Sequence, residues 1–287
     1  METRFERPRT FLARLNAALR TGLTADCMLA CPGDGETFNR VYGTPSQLDT
    51  SFGKVISALR ARGAALPRKY DTKASPLINL SGGSGYQGEN PNNPSGMGLV
   101  LPASLHGIVA GVTFADAPGA VVAHTPTGVT AAVSGIWQQL PKGTVDQTIQ
   151  LMKQQVQEMG MTFDVQDLWV ILSPGARAET FFIDTKGQAL LAGGGSQFID
   201  GGRIQLLSTP VEQQGRTKTY ALDLVGLFYD LWRVAGVLTN QIHLDGRNNM
   251  TDRDGEGNLV WPSKRAADER GEDGYTSAFM GLVVLAD

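Results

Sequence analysis

The chain has 287 residues, 41% hydrophobic and 18% charged, an ordinary globular mixture long enough to bury a substantial core in one large domain or two small ones. Its formal net charge is -3, with Lys and Arg scattered and densest from Arg4 to Arg20, which argues against a nucleic-acid partner, since phosphate-gripping proteins carry a basic excess or stripe. No apolar run approaches the roughly 20 residues needed to cross a bilayer, and the charged opening Met1 to Pro8 lacks the apolar centre of a secretory signal. A cytoplasmic protein with no membrane partner is expected.

Phe11, Leu12, Leu15 and Leu19 lie at helical spacing over residues 9–20, and Gly22 ends that helix. Residues 1–22 therefore read as an N-terminal helical extension ahead of a single domain over 23–287. The helix either docks a partner, a second copy included, or packs on its own domain. A second helix fits 47–62, with Leu48, Phe52, Val55, Ile56 and Leu59 on its stripe. Residues 82–96 have loop chemistry throughout, and this loop is a second candidate surface for assembly.

From residue 97 the pattern changes. Leu99 to Leu101, Ile108 to Phe114, Ala120 to Ala123 and Leu168 to Leu172 are short apolar runs that read as buried strands, with a long helix over 144–159 between the last two. Residues 179–209 read as a meander with strands at 180–183, 188–191 and 204–207. A final helix spans 220–235, with Asp223 in its first turn where the helix dipole favours it, and a closing strand runs from Ala278 to Leu285. This order predicts an α/β or α+β fold, a mixed sheet with flanking helices.

Several motifs have both a functional and a plainer reading. Gly83, Gly85 and Gly88 match G-x-G-x-x-G, but Pro91 and Pro94 forbid the helix a dinucleotide site needs, which leaves a loop. Asp252, Asp254 and Glu256 with Gly257 resemble half a calcium loop, yet Ser263 stands where the bidentate Glu belongs, so an acidic turn is the plainer reading. Cys27 and Cys31 have no neighbouring His and read as buried thiols. Of the three histidines, His124 stands out, because it closes an apolar strand at the lip where α/β proteins place ligands and catalytic groups.

Four segments in order resemble the bacterial laccase-domain (YfiH, or peptidoglycan-editing) family. Phe114-Ala-Asp116 and Gly119-Ala-Val-Val-Ala-His124 are similar to its strand pair, and Leu172-Ser-Pro174-Gly-Ala176 to its Ile-Gly-Pro turn. Asp223 to Val237 resembles its long helix. Trp261-Pro-Ser-Lys264-Arg265 with Ser277 to Leu285 resembles its close. The resemblance covers about residues 97–287 and extends to cysteine deamidases with a related core.

It implies a site of two histidines and a cysteine that binds zinc or acts as nucleophile and base on purine nucleosides. Carried over by position, His124 is the second histidine, Ser81 or Gly82 stands at the first, and Val109 stands at the cysteine. A shift of three residues would bring His106 beside His124 as a two-histidine metal site. The expectation is a binding or assembly module that has lost thiol chemistry. The alternative is an enzyme acting on a purine nucleoside or related small molecule. In it His124 is the general base, Ser173 or Thr125 its hydrogen-bonding partner, and Lys264 with Arg265 an anion clamp.

Overall fold

The computed structural model describes residues 2–34, 36–38, 44–66, 78–80, 97–195, 198, 201–213, 215–271 and 276–286. The strands are β1 (Arg4–Glu6), β2 (Leu23–Cys31), β3 (Gly63–Ala65), β4 (Ile78–Leu80), β5 (Gly98–Leu101), β6 (Ile108–Phe114) and β7 (Gly119–His124). They continue with β8 (Thr130–Ser134), β9 (Leu168–Leu172), β10 (Phe182–Ile183), β11 (Ile204–Gln213), β12 (Arg216–Leu222), β13 (Ile242–Leu244) and β14 (Ala278–Ala286). The helices are α1 (Arg9–Ala18), α2 (Pro45–Ala58), α3 (Thr144–Glu158), α4 (Thr185–Ala192), α5 (Leu224–Val234) and α6 (Lys264–Glu269).

Two mixed sheets form the centre, one ordered β1-β2-β14-β6-β3 and the other β13-β9-β7-β8-β5-β4. Period-two alternation decides which residues face which layer. Ala110 and Val112 of β6, Leu282 of β14, and Val121 and Ala123 of β7 share one buried core, so the two sheets meet face to face. The alternate residues point outward. Val109 and Phe279 pack with Phe52 and Val55 of α2, while Ala120 and Val122 pack with Met152 of α3 and Phe228 of α5. The result is a helix, sheet, sheet, helix sandwich. A third, small sheet, β10-β12-β11, joins its flank.

Glycine is required at the centre of the first sheet. Gly111 and Gly281 face each other across β6 and β14, and a Cβ on either would come within 2.4 to 2.6 Å of the Phe279 ring. That ring lies across both strands.

Helix α1 buries Phe11, Leu12 and Leu15 in the core between the sheets, and Phe11 meets Trp169 edge-on at 5.2 Å. Strand β1 before it pairs with β2. The apolar stripe of this N-terminal segment is thus occupied within the chain.

The structure corrects two local expectations and adds a strand. Gln188 to Leu191 belongs to helix α4 rather than a strand, because Asp184 caps it by accepting from the Gly187 amide at 2.8 Å. Residues 220–222 end strand β12, and Asp223 is the N-cap of α5, accepting from the Gly226 amide at 3.0 Å. Strand β2, which carries both cysteines, was not anticipated. Among the described residues no helix is long and apolar enough to cross a membrane.

Candidate functional site

His124 ends β7, opposite Leu168 of β9. A tight turn follows, in which the His124 amide donates to the Val129 carbonyl at 2.9 Å and the Gly128 amide to the His124 carbonyl at 2.8 Å. Gly128 makes the turn possible with φ of 73°. The imidazole shares the outward phase of Ala120 and Val122, is fully buried, and stacks on Phe163 at 5.4 Å with the rings 13° from parallel.

Its Nδ1 lies 2.8 Å from the Thr127 hydroxyl, while Nε2 is buried without a hydrogen-bond partner, 3.9 Å from an Asp167 carboxylate oxygen. Burial disfavours the imidazolium and holds the pKa down at about 4, against a weaker opposing pull from Asp164. Asp167 shifts up, through burial and then the neighbouring Asp164 charge. At neutral pH the ring is an uncharged, packed group.

Thr125 is buried beside it, with its amide and its hydroxyl both directed to the Asp167 carbonyl, at 3.1 and 3.2 Å. His106 reaches the same turn from the inner side. A Cβ at Gly128 would sit 2.5 Å from His106 Nε2 and 3.1 to 3.2 Å from Val284 and Leu23, two residues of the core between the sheets. Burial lowers the His106 pKa, opposed by a hydrogen bond to the Thr127 backbone. The two imidazoles brace one turn from its two sides.

The remaining expected residues are elsewhere. Ser173 lies at the other end of the β7–β9 pair, where its amide meets the Gly119 carbonyl at 2.9 Å. Its hydroxyl accepts from the Gly119 amide at 2.8 Å and donates to the Pro174 carbonyl at 2.9 Å, so Ser173 cannot partner His124. Lys264 pairs with Asp268, one turn along α6. The Arg265 guanidinium lies 3.7 Å over the Phe181 ring and donates to Gln213 at 2.7 Å. Asp116 holds the start of α6 by accepting from Ser263 Oγ at 2.7 Å and the Arg265 amide at 3.1 Å. These contacts leave Lys264 and Arg265 as parts of a buttress rather than an anion clamp.

Val109, the position of the implied thiol, points to the outer face of the first sheet, towards α2. His124 points to the outer face of the second. Two stacked sheets, spaced about 10 Å apart, therefore separate them. The other implied position, Ser81 or Gly82, lies outside the described residues, as does the Gly83–Gly88 motif.

Zinc fits poorly with what is present. One ring nitrogen of His124 is taken by Thr127, no thiol is near, and no group of three His, Cys, Asp or Glu side chains converges among the described residues. Cys27 is wholly buried in the core between the sheets, and burial pushes its thiol up; Cys31 is raised to about 11 for the same reason. The acidic segment is a turn in which Asp254 Oδ1 accepts from the Glu256 and Asn258 amides, at 3.0 and 2.9 Å.

Sequence reasoning missed a groove of 510 Å³ at the carboxyl edge of the parallel β9–β13 pair. Four separate stretches build it: 177–179 after β9, 202–205 around the start of β11, Asp223 at the start of α5, and 246–252 after β13. A bridge from Gly175 to Asn248 prolongs the parallel pairing up to its wall. That edge is where open α/β sheets bind ligands. The Ser-Pro-Gly turn after β9 was the available signal.

No protein-family model matches the chain, and no curated protein matches its sequence. Solved structures do match. The hypothetical protein YfiH of Bacillus licheniformis has a TM-score of 0.69 at 14% identity, covering 92% of this chain and 93% of its own. A Neisseria meningitidis protein of the DUF152 family gives 0.67 at 15%, covering 94% and 96%. YlmD from Geobacillus stearothermophilus gives 0.64 at 14%, covering 93% of each. From β1 to β14, the chain has the fold of the YfiH and YlmD proteins.

Proposed function

We propose that this chain uses a YfiH-type fold as a binding or assembly module and does not carry out thiol- and zinc-dependent chemistry. One observation carries the reading: the retained histidine is buried, stacked and bonded within its own turn, while the residue at the implied thiol position faces the opposite side of the sandwich. A base and a nucleophile must lie within hydrogen-bonding reach of each other, and these two do not. Assembly through α1 would have to use its polar outer side, since its apolar side is filled.

The orphaned Nε2 beside Asp167 favours a second reading, with His124 as general base towards a small molecule such as a purine nucleoside. A fully buried ring offers substrate no approach, which places this reading second. The deciding experiment is metal analysis of purified protein together with incubation on purine nucleosides. Substoichiometric zinc and no product are expected. Turnover with one zinc per chain refutes the module reading, and turnover lost in His124→Ala establishes the second.

A further inference from the structure

We infer that the groove at the carboxyl edge of β9 and β13 is a binding site for a small organic cation bearing primary amines. This goes beyond the module reading by assigning the groove a ligand class, and it rests on that reading only in taking the chain to be a binder.

The charges in the groove fall into two groups. On its floor, Arg203 donates to Asp230 from Nε at 2.7 Å and from Nη2 at 3.4 Å, and to Asp223 from Nη1 at 2.9 Å. Arg177 donates to the other Asp223 oxygen at 3.2 Å. Both guanidinium groups that line the groove are thus engaged by carboxylates; Arg233, on the half-exposed side of α5, adds a longer pair to Asp230 at 4.0 Å, and the Asp223 carboxylate is also committed to the α5 N-cap. Neither lining guanidinium, Arg177 or Arg203, is left without a carboxylate partner for an anion to replace.

On the rim, Glu179 is exposed and has no hydrogen-bond or ion-pair partner among the described residues. Asp252 spends one oxygen on the Asn248 amide at 2.9 Å, and its other oxygen has no partner there. The charged residues that line the groove, Arg177 and Arg203 against Glu179, Asp223 and Asp252, therefore leave one negative charge uncompensated, and Thr251 and Gln205, which line it too, each carry an oxygen able to accept. These groups accept hydrogen bonds, so the complementary ligand is a cation that donates several.

The lining also narrows the kind of cation. It contains no aromatic ring, so it cannot form the cage that holds a quaternary ammonium or the platform on which a purine would stack. An ammonium with its own N–H donors needs neither. The volume of 510 Å³ lies within the range of small-molecule sites and admits a diamine or triamine.

The test is isothermal titration calorimetry on the full chain, with putrescine as the probe and tetramethylammonium and succinate as controls. Putrescine is expected to bind and the two controls to give no heat. Glu179→Gln and Asp252→Asn should each weaken putrescine about threefold. The double variant should lose about tenfold, and a rise from about 20 to about 200 mM salt should weaken binding to the wild type. Both substitutions preserve shape, and the carboxamide oxygen introduced by Asp252→Asn can still accept from the Asn248 amide, so unchanged thermal melts will show that the fold survives. Absence of heat with putrescine overturns the assignment, as does equal binding by the double variant or preferential binding of succinate. None of those results bears on nucleoside turnover, which tests the module reading separately.

Discussion

Replacing His124 with alanine separates a structural histidine from a catalytic one. The substitution deletes a fully buried, stacked ring and its hydrogen bond to Thr127. Losing the ring's burial and leaving a cavity costs roughly 2 kcal/mol, and the hydrogen bond adds about 1 kcal/mol. Removing an unpaired buried nitrogen returns about 1 kcal/mol, for a net loss near 2 kcal/mol at neutral pH. With an unfolding entropy of about 2.1 cal/mol/K per residue, the melting temperature should fall by about 3 to 4 °C.

The loss must also depend on pH. The folded pKa of about 4 lies below the unfolded value near 6.5, so between those limits the unfolded chain binds the extra proton. The wild type therefore keeps this contribution in full above pH 6.5 and loses it as pH falls towards 4, by about 3 kcal/mol in all. The alanine variant has no such dependence at this position. The two stability curves should cross at about pH 5. Chemical denaturation followed by circular dichroism across pH 4 to 7.5 measures both. A variant as stable as the wild type at pH 7, or one whose stability runs parallel to it at every pH, refutes the structural assignment.

Other outcomes follow from the same contacts. Gly281→Ala drives a methyl into Phe279 and Val109 and should cost about 1 to 3 kcal/mol, read as a lower denaturation midpoint with an unchanged slope. Asp223→Ala removes the α5 cap and the shared partner of Arg177 and Arg203; a loss of about 2 to 4 kcal/mol is expected in the same assay. Val109→Cys should give neither zinc uptake nor nucleoside turnover, because the new thiol would face α2; one equivalent of zinc by elemental analysis would contradict that placement. Iodoacetamide should leave Cys27 unmodified at pH 8 until denaturant is added, as judged by intact mass, since its thiol is buried and shifted up.

The sequence was most legible where burial was complete. β6, β7, β9 and β14 are continuous apolar runs, and a strand buried on both faces is written that way. β2 was missed because the exposed Thr24 and half-buried Asp26 interrupt its apolar run, in the stretch that lies beyond the ladder with β1. Gln188 to Leu191 is too short an apolar run to reveal its period, and the deciding signal was the cap at Asp184.

For the site, the sequence placed His124 at a strand end and supplied no information on pairing. Only the antiparallel register of β7 with β9 shows that Ser173 sits at the far end of that strand pair from the imidazole. Likewise, one residue of phase on β6 decides whether Val109 looks inward or outward. The groove was hard to read because its walls come from stretches about 20 residues or more apart in sequence, and the Ser-Pro-Gly turn after β9 marks only the approach to one of them.

The place of β14 has a consequence for synthesis. This strand lies between β2 and β6, with Leu23 opposite Ala286 and Cys31 a residue beyond the far end of that ladder. While the ribosome still shelters β14, β2 and β6 have long since emerged, each with a strand edge that nothing yet fills. Those edges are apolar and ready to pair with any neighbouring chain. Closing the gap joins segments some 250 positions apart, a slow kind of contact. A nascent chain of this protein should therefore occupy holdase chaperones until β14 clears the exit tunnel and shed them soon after.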